Sequence, residues 1–135
     1  YFPRRADTRY RGLHRAEWTT TAQGLPLALD RRDHARDWWQ GLPAGARQVD
    51  TAYLARQGPL EIVWPDRALA LAMAPDDSLA VTVVYTPAGE DFLCVEPVSH
   101  GTDAINRPGA EDGMACLAPG ETMACAVSFK ARALE

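Results

Sequence analysis

The sequence predicts an all-β protein, an antiparallel sandwich or barrel, and two observations carry that prediction. Apolar residues recur at every second position in several segments, which is the period of a strand with one buried face. Glycine and proline turns separate these short segments, a spacing typical of antiparallel β architecture. The length of 135 residues fits one domain or part of a larger one, and a hydrophobic content of 47% argues against a disordered chain.

Alternation or β-branched residues mark the strongest strand candidates, at residues 60–64, 69–73, 79–86 and 123–129. The first two are joined through Pro65-Asp66, a turn pair that favours a hairpin. We expect a longer strand at residues 8–21, then a loop at residues 24–30 that contains Gly24 and Pro26. A short apolar strand is expected at residues 92–95, stopped by Pro97.

One helix is expected, at residues 33–40, with Asp33 as N-cap and Gly41 as the stop. Trp38 and Trp39 are adjacent on it, so they cannot share a face, and at least one is expected to pack in the core. The last two residues, 134–135, resemble a cloning remnant, so the predicted domain is residues 1–133.

Charge and cysteine content exclude several classes of protein. Residues 1–67 hold 11 basic and 8 acidic side chains, and residues 68–135 hold 3 and 10, giving a net charge of -4. The arginines are interleaved with acids, which disfavours nucleic-acid binding. No apolar run reaches the ~18–20 residues of a membrane span, and no secretion signal is visible, so a cytoplasmic location is expected.

Three cysteines without CxxC spacing (Cys94, Cys116 and Cys125) indicate reduced thiols rather than disulfides or a metal site.

One segment departs from the apolar pattern. The strand at residues 92–95 leads directly into Glu96, and a carboxylate at the end of a hydrophobic strand is partly desolvated and usable as a base. Pro97 removes a backbone donor and would fix where Glu96 points. A turn cap or an ion pair with Arg107 is the structural alternative, and spacing alone favours that alternative.

The segment FLCVEPVSH at residues 92–100, followed by DAIN at residues 103–106, resembles the C-terminal signature of the aldose 1-epimerase (galactose mutarotase) family. In that family an apolar strand delivers a glutamate that acts as general base. VVYTP at residues 83–87, LAPGE at residues 117–121 and VDTAY at residues 49–53 are similar to further family segments, the last containing an aspartate that meets sugar hydroxyls. The resemblance implies a galactose mutarotase-type β-sandwich, with Glu96 as base and Asp50 as a sugar ligand.

The resemblance also implies that part of the family's site lies outside these 135 residues. Tyr1-Phe2 resembles the end of the family's His-x-Tyr-Phe motif, whose histidine is the general acid and stands two residues before the tyrosine. The family's domain is about twice this length. We therefore expect this chain to be the C-terminal half of a mutarotase-like protein, inactive and prone to associate without its N-terminal half.

The three histidines of the chain do not fill the place of that acid. His14 is expected on a solvent-facing strand surface among arginines, and His34 on the surface at the start of the helix. His100 follows Glu96 by four residues and is expected near the site, either touching substrate or supporting Glu96. For Asp50, a charged hydrogen bond to sugar hydroxyls stands against an ordinary loop aspartate.

The function expected from the resemblance is cofactor-independent and metal-independent interconversion of the α and β anomers of a free aldose. A non-catalytic carbohydrate-binding protein of the same fold is the first alternative, and a hexose-6-phosphate mutarotase the second. A hexose-6-phosphate mutarotase would need basic residues that converge on the phosphate group. The candidates are Arg4, Arg5, Arg9 and Arg11. A sandwich domain that binds another protein and no sugar is an alternative of a different class.

Overall fold

The computed structural model of the chain describes residues 1–31, 38–107, 109 and 112–135. Within that part the chain forms ten strands: β1 (Phe2–Pro3), β2 (Arg9–Arg11), β3 (Ala16–Thr20), β4 (Pro26–Asp30), β5 (Asp50–Leu54), β6 (Leu60–Trp64), β7 (Leu69–Pro75), β8 (Val81–Tyr85), β9 (Phe92–Val98) and β10 (Val127–Ala133). Every pairing is antiparallel. The prediction of an antiparallel β-sandwich is confirmed.

The strands form two sheets. One has six strands in the order β1-β9-β8-β5-β3-β4, and the other has four in the order β10-β7-β6-β2. The predicted hairpin joins β6 to β7: Pro65–Arg67 makes a 3-10 turn, and Ala68 closes it in the left-handed region at φ 48°. Its amide donates to the carbonyl of Pro65, so the turn is closed by one backbone hydrogen bond.

Residues 8–21 do not form the single strand that was expected. They make β2 in the four-stranded sheet and β3 in the six-stranded sheet, so the chain changes sheets between them. Gly12 lies at the crossing, where a Cβ atom would overlap the side chains of Tyr10 and His14. The absence of a side chain at Gly12 therefore lets two buried rings pack against the backbone.

Two other predicted boundaries are wrong. The segment at residues 24–30 was expected to be a loop, but Pro26–Asp30 is edge strand β4, where a leading proline is tolerated because it need not donate to a neighbour. The last strand runs over Val127–Ala133 and not over residues 123–129, because its pairing with β7 fixes the register from Pro75 onward. Most of the expected helix, with Asp33, lies outside the described residues, and residues 38–40 form a short 3-10 turn.

The main core lies between the two sheets. Trp38 is fully buried there, which confirms that at least one of the paired tryptophans packs in the core. The cluster around it consists of Tyr10, Ala44, Tyr53, Leu60, Ile62, Trp64, Met73, Val84, Leu93 and Val95.

A second apolar cluster covers part of the opposite face of the six-stranded sheet, which we call the outer face. It comprises Ala16, Ala52, Leu54 and Val81, with Trp18, Leu29, Val83 and Val98 packed against them. The central strands β5 and β8 are therefore covered on both sides at one end, while the outer face is more open at the other. No helix in the described ranges is long and apolar enough to cross a membrane.

His14 is buried, so the expectation of a solvent-facing side chain is wrong. Its ring lies 5.3 Å from that of Tyr53, centroid to centroid, and has no exposed surface. Burial foremost, and then the positive charge of Arg56, lower the pKa of His14 to about 4; the backbone of Gly12 offsets only part of this. His14 is a neutral core residue at pH 7.

The neutral state of His14 predicts an acid-sensitive fold. The unfolded chain binds a proton near pH 6.5 that the folded chain accepts only near pH 4, so stability is full above pH 6.5 and falls as the pH drops toward 4. The shift corresponds to about 3 kcal/mol of unfolding free energy. Urea unfolding at pH 7.0 and 4.5 measures the loss, and His14→Phe should remove most of this pH dependence. His100→Gln is the control, and an equal pH dependence in His14→Phe and the wild type would contradict the assignment.

Candidate functional site

Glu96 lies on the outer face of the six-stranded sheet. Along β9, Leu93 and Val95 are buried in the core, so the alternation of the strand places Cys94 and Glu96 on the opposite side. The expected strand end at Pro97 is wrong, because β9 continues through Pro97, which is opposite Thr82, to Val98. The expected desolvation is also not found, since the side chain of Glu96 is exposed. The carboxylate is held by a paired strand and is open to solvent.

Asp50 shares that face with Glu96. It is opposite Tyr85 on β8, and Tyr85 is in turn opposite Cys94 on β9. Directly opposite residues of antiparallel strands point to the same side of a sheet. Two strand spacings, about 10 Å, separate β5 from β9. The fold thus places two carboxylates, 46 residues apart in sequence, on one surface.

The thiol of Cys94 lies close to both acids. Burial foremost raises its pKa, and the negative charges of Glu96 and Asp50 raise it further, while the Tyr1 side chain acts in the opposite sense. Cys94 is therefore a protonated, apolar element of the surface between the two carboxylates.

Three aromatic rings border the same surface. Tyr1 lies 4.9 Å from Phe92, and Tyr85 lies 6.1 Å from Phe92, between ring centroids. Tyr1 is 87% exposed, which leaves its ring accessible. Reasoning from the sequence gave Tyr85 and Phe92 no functional role. One pattern in the sequence did point to Phe92. It lies four residues before Glu96 on the same strand, and side chains an even number of residues apart on a strand lie on the same face.

A cavity of about 560 Å³ lies beside Glu96 under the loop that follows β9. Val83, the register partner of Glu96, and Val98, two residues after it, form part of its wall. The rest of the wall comes from the loop and a later residue: Ser99, His100, Gly101, Thr102, Asp103, Ala104, Ile105 and Met114. Glu96 stands at the border of this cavity and not inside it.

His100 lies on the wall of this cavity. Its Nδ1 atom lies 2.8 Å from the hydroxyl oxygen of Ser99, a hydrogen bond that holds the ring on the cavity wall. Of the other histidines, His14 is in the core and His34 lies outside the described residues.

Asp50 opens onto a second cavity of about 490 Å³. Tyr85, Thr86 and Glu90 also line it. The outer face thus presents an acidic opening at Asp50, the exposed carboxylate of Glu96 on β9, and the larger cavity at His100. Within the described ranges, no three His, Cys, Asp or Glu side chains are grouped so as to hold a metal ion.

Comparison with known proteins identifies this architecture. No protein-family model matches the chain. An uncharacterised Escherichia coli K12 protein, YphB, is 28% identical over 138 residues, which cover 96% of this chain and 47% of that protein. A crystal structure of an E. coli K12 protein named provisionally as an aldose 1-epimerase superposes with a TM-score of 0.83 at 26% identity, over 98% of this chain and 48% of that one. The chain has the fold of that provisionally named aldose 1-epimerase.

The resemblance noted in residues 92–106 is thus matched over nearly the whole chain by an aldose 1-epimerase-like structure. The chain spans about half the length of both relatives. Within this span Glu96 and Asp50 share the outer face, and His100 lies in the loop that follows β9.

The three cysteines are free thiols, and their surroundings predict unequal reactivity. Cys94 is buried with a raised pKa, whereas Cys116 and Cys125 are exposed; for Cys125 the expected place on an apolar strand face is wrong. At pH 7.5 we expect a thiol reagent to modify two groups rapidly, and the third only after denaturation. Cys94→Ala should abolish the slow phase alone. Three fast thiols in the native protein, or fewer than three after denaturation without reductant, would contradict this.

Proposed function

We propose that the protein containing this chain is a cofactor-independent aldose 1-epimerase that interconverts the α and β anomers of a free sugar. The observation that carries the proposal is the placement of Glu96, exposed on a paired strand between the acidic opening at Asp50 and the larger cavity, in a fold shared with a provisionally named aldose 1-epimerase. Aromatic rings beside the carboxylates suit the C–H faces of a sugar.

The reaction requires one base and one acid. Glu96 takes the proton of the C1 hydroxyl, the electrons of that O–H bond form the C1 carbonyl, and the bond from C1 to the ring oxygen breaks as the ring oxygen receives a proton. Rotation about the C1–C2 bond and the reverse transfers close the ring as the other anomer. Each well-placed group contributes roughly 10²–10⁴-fold. The resemblance assigns the acid to a histidine outside this chain.

Asp50 and His100 bind the substrate in this proposal. A carboxylate accepts strong charge-assisted hydrogen bonds from paired hydroxyls, and Asp50 is exposed on the same face as Glu96. His100 can donate or accept through its ring at the cavity wall, with Ser99 holding its orientation.

Free sugar is favoured over sugar phosphate because the arginines that were candidates for a phosphate site each contact a protein acceptor. Arg5 pairs with Asp66 at 3.2 Å, while Arg4, Arg9 and Arg11 donate to backbone carbonyls of Glu90, Gly41 and Trp39. The carboxylates on the outer face also oppose an anion.

A carbohydrate-binding protein without turnover is the second candidate. The observation that favours it is the exposure of Glu96, because a carboxylate that is not desolvated in the chain alone is less suited to act as a base. Polarimetry of freshly dissolved α-D-glucose and α-D-galactose with the complete protein separates the two. Faster mutarotation than in buffer supports the enzyme. Sugar-dependent tryptophan fluorescence without faster mutarotation supports the binder.

The role of Glu96 predicts the behaviour of Glu96→Gln in the complete protein. The amide is nearly isosteric but cannot accept the proton, so we expect kcat to fall at least ~10²-fold with unchanged thermal stability. Glu121→Gln, in the turn before β10, is the matched control and should retain wild-type turnover. More than about a tenth of the wild-type rate in Glu96→Gln would remove Glu96 from the role of base.

The role of Asp50 predicts a different kinetic defect. Asp50→Asn keeps the shape and removes the charge, so we expect kcat/KM to fall roughly 10-fold or more, the loss of one hydrogen bond to a charged group. Steady-state polarimetry measures it, with Asp77→Asn as control. A kcat/KM within twofold of the wild type would show that Asp50 is an ordinary surface aspartate.

A further inference from the structure

We propose that Asp112 and Arg107 are positioning residues that fix residues 99–107 as the wall of the cavity beside Glu96. Together with Trp18 they form a group that we call the loop clamp. The kinetic part of this inference rests on the proposed function, whereas the structural part does not.

Asp112 is the centre of the loop clamp. Its carboxylate has no exposed surface and accepts from Arg107 through both oxygens, Nη1 to Oδ1 and Nη2 to Oδ2, each at 3.1 Å. The indole Nε1 of Trp18 donates to Oδ2 at 2.6 Å. A bidentate pair with a third donor fixes both the charge and the plane of the carboxylate.

The loop clamp also holds the loop backbone. The amide of Gly101 donates to the carbonyl of Asp112 at 2.9 Å, and Arg107 donates to the carbonyl of Thr102. Gly101 passes so close that a Cβ atom there would overlap the carboxylate of Asp112. Gly101 and Arg107 are therefore bonded to Asp112 directly, and Thr102 is linked to it through Arg107.

Trp18 connects this loop to the sheet. It lies on β3 in the outer cluster, which also contains Val83 and Val98 of the cavity wall, and the guanidinium of Arg107 lies 4.4 Å from its ring centroid. A cation stacked on an indole is attracted to the ring as well as to the carboxylate. The loop clamp thus sets the distance between the loop wall and the strand wall of the same cavity.

The location of the loop clamp separates its effect from that of the base. Glu96 is held by the pairing of β9 with β8, whereas His100 and Asp103 are carried by the loop. Loosening the loop should displace the cavity wall and leave the carboxylate of Glu96 in place. A buried ion pair is weak support for stability in itself, so we expect its main effect on the geometry of the loop.

The first test is hydrogen exchange of the complete protein, which needs no activity. Arg107→Lys keeps the positive charge, but lysine cannot form the bidentate pair that the guanidinium makes with Asp112. We therefore expect at least tenfold faster amide exchange in residues 99–107, with exchange in β8 and β9 unchanged. Arg132→Lys is the matched control, because Arg132 forms a surface pair with Glu61 at 2.6 Å on another sheet. Trp18→Phe, which removes only the indole donor, should show the same local pattern if Arg107→Lys does not fold. Exchange that is unchanged, or that rises uniformly, overturns the inference.

The second test is kinetic. In Arg107→Lys we expect KM for the aldose to rise at least fivefold while kcat stays within twofold. A purely structural role would lower the melting temperature and leave both constants of the folded enzyme unmoved, which overturns the positioning role. If the wild type shows no mutarotation, the proposed function fails, and hydrogen exchange still decides whether the loop clamp fixes the loop.

Discussion

The alternation of side chains along the paired strand β9 is the constraint on which the site depends. Leu93 and Val95 are buried between the sheets, and a strand that buries one side chain must present the next on the opposite face. A shift of one residue in register would place Glu96 in the core and Leu93 in water. The burial of these two apolar side chains therefore fixes the direction of the carboxylate, and Pro97 within the strand does not change it.

The outer face is divided into an apolar end and a polar end. Packing around Ala52 and Val81 covers the first, and the loop after β9 closes over it. Asp50, Cys94 and Glu96 lie on the second, where the sheet is more open. This division gives a floor of paired strands beside a wall made of loop, so the carboxylates and the loop residues of the cavity wall are held by different means.

Two buried ionisable groups, His14 and Asp112, are accommodated in different ways. In the core, His14 is kept neutral by burial and by the charge of Arg56. Under the loop, Asp112 keeps a charged partner in Arg107. The first costs stability in acid, and the second ties loop to sheet by an interaction whose geometry is more specific than that of apolar packing.

Much of the fold could be predicted from the sequence alone, and Glu96, Asp50 and His100 could be named as candidates but not placed relative to one another. Period-two alternation and turn residues predicted the sandwich and the β6–β7 hairpin, and an apolar run predicted the first part of β9, because these patterns are local properties. Strand limits at residues 8–21 and 123–129 were wrong because long-range pairing and the change of sheet at Gly12 determine them. The burial of His14, the common face of Asp50 and Glu96, and the contact of Trp18 with Asp112 across 94 residues were decided only by the tertiary structure. They depend on which strands become neighbours, and no local pattern in a sequence specifies that.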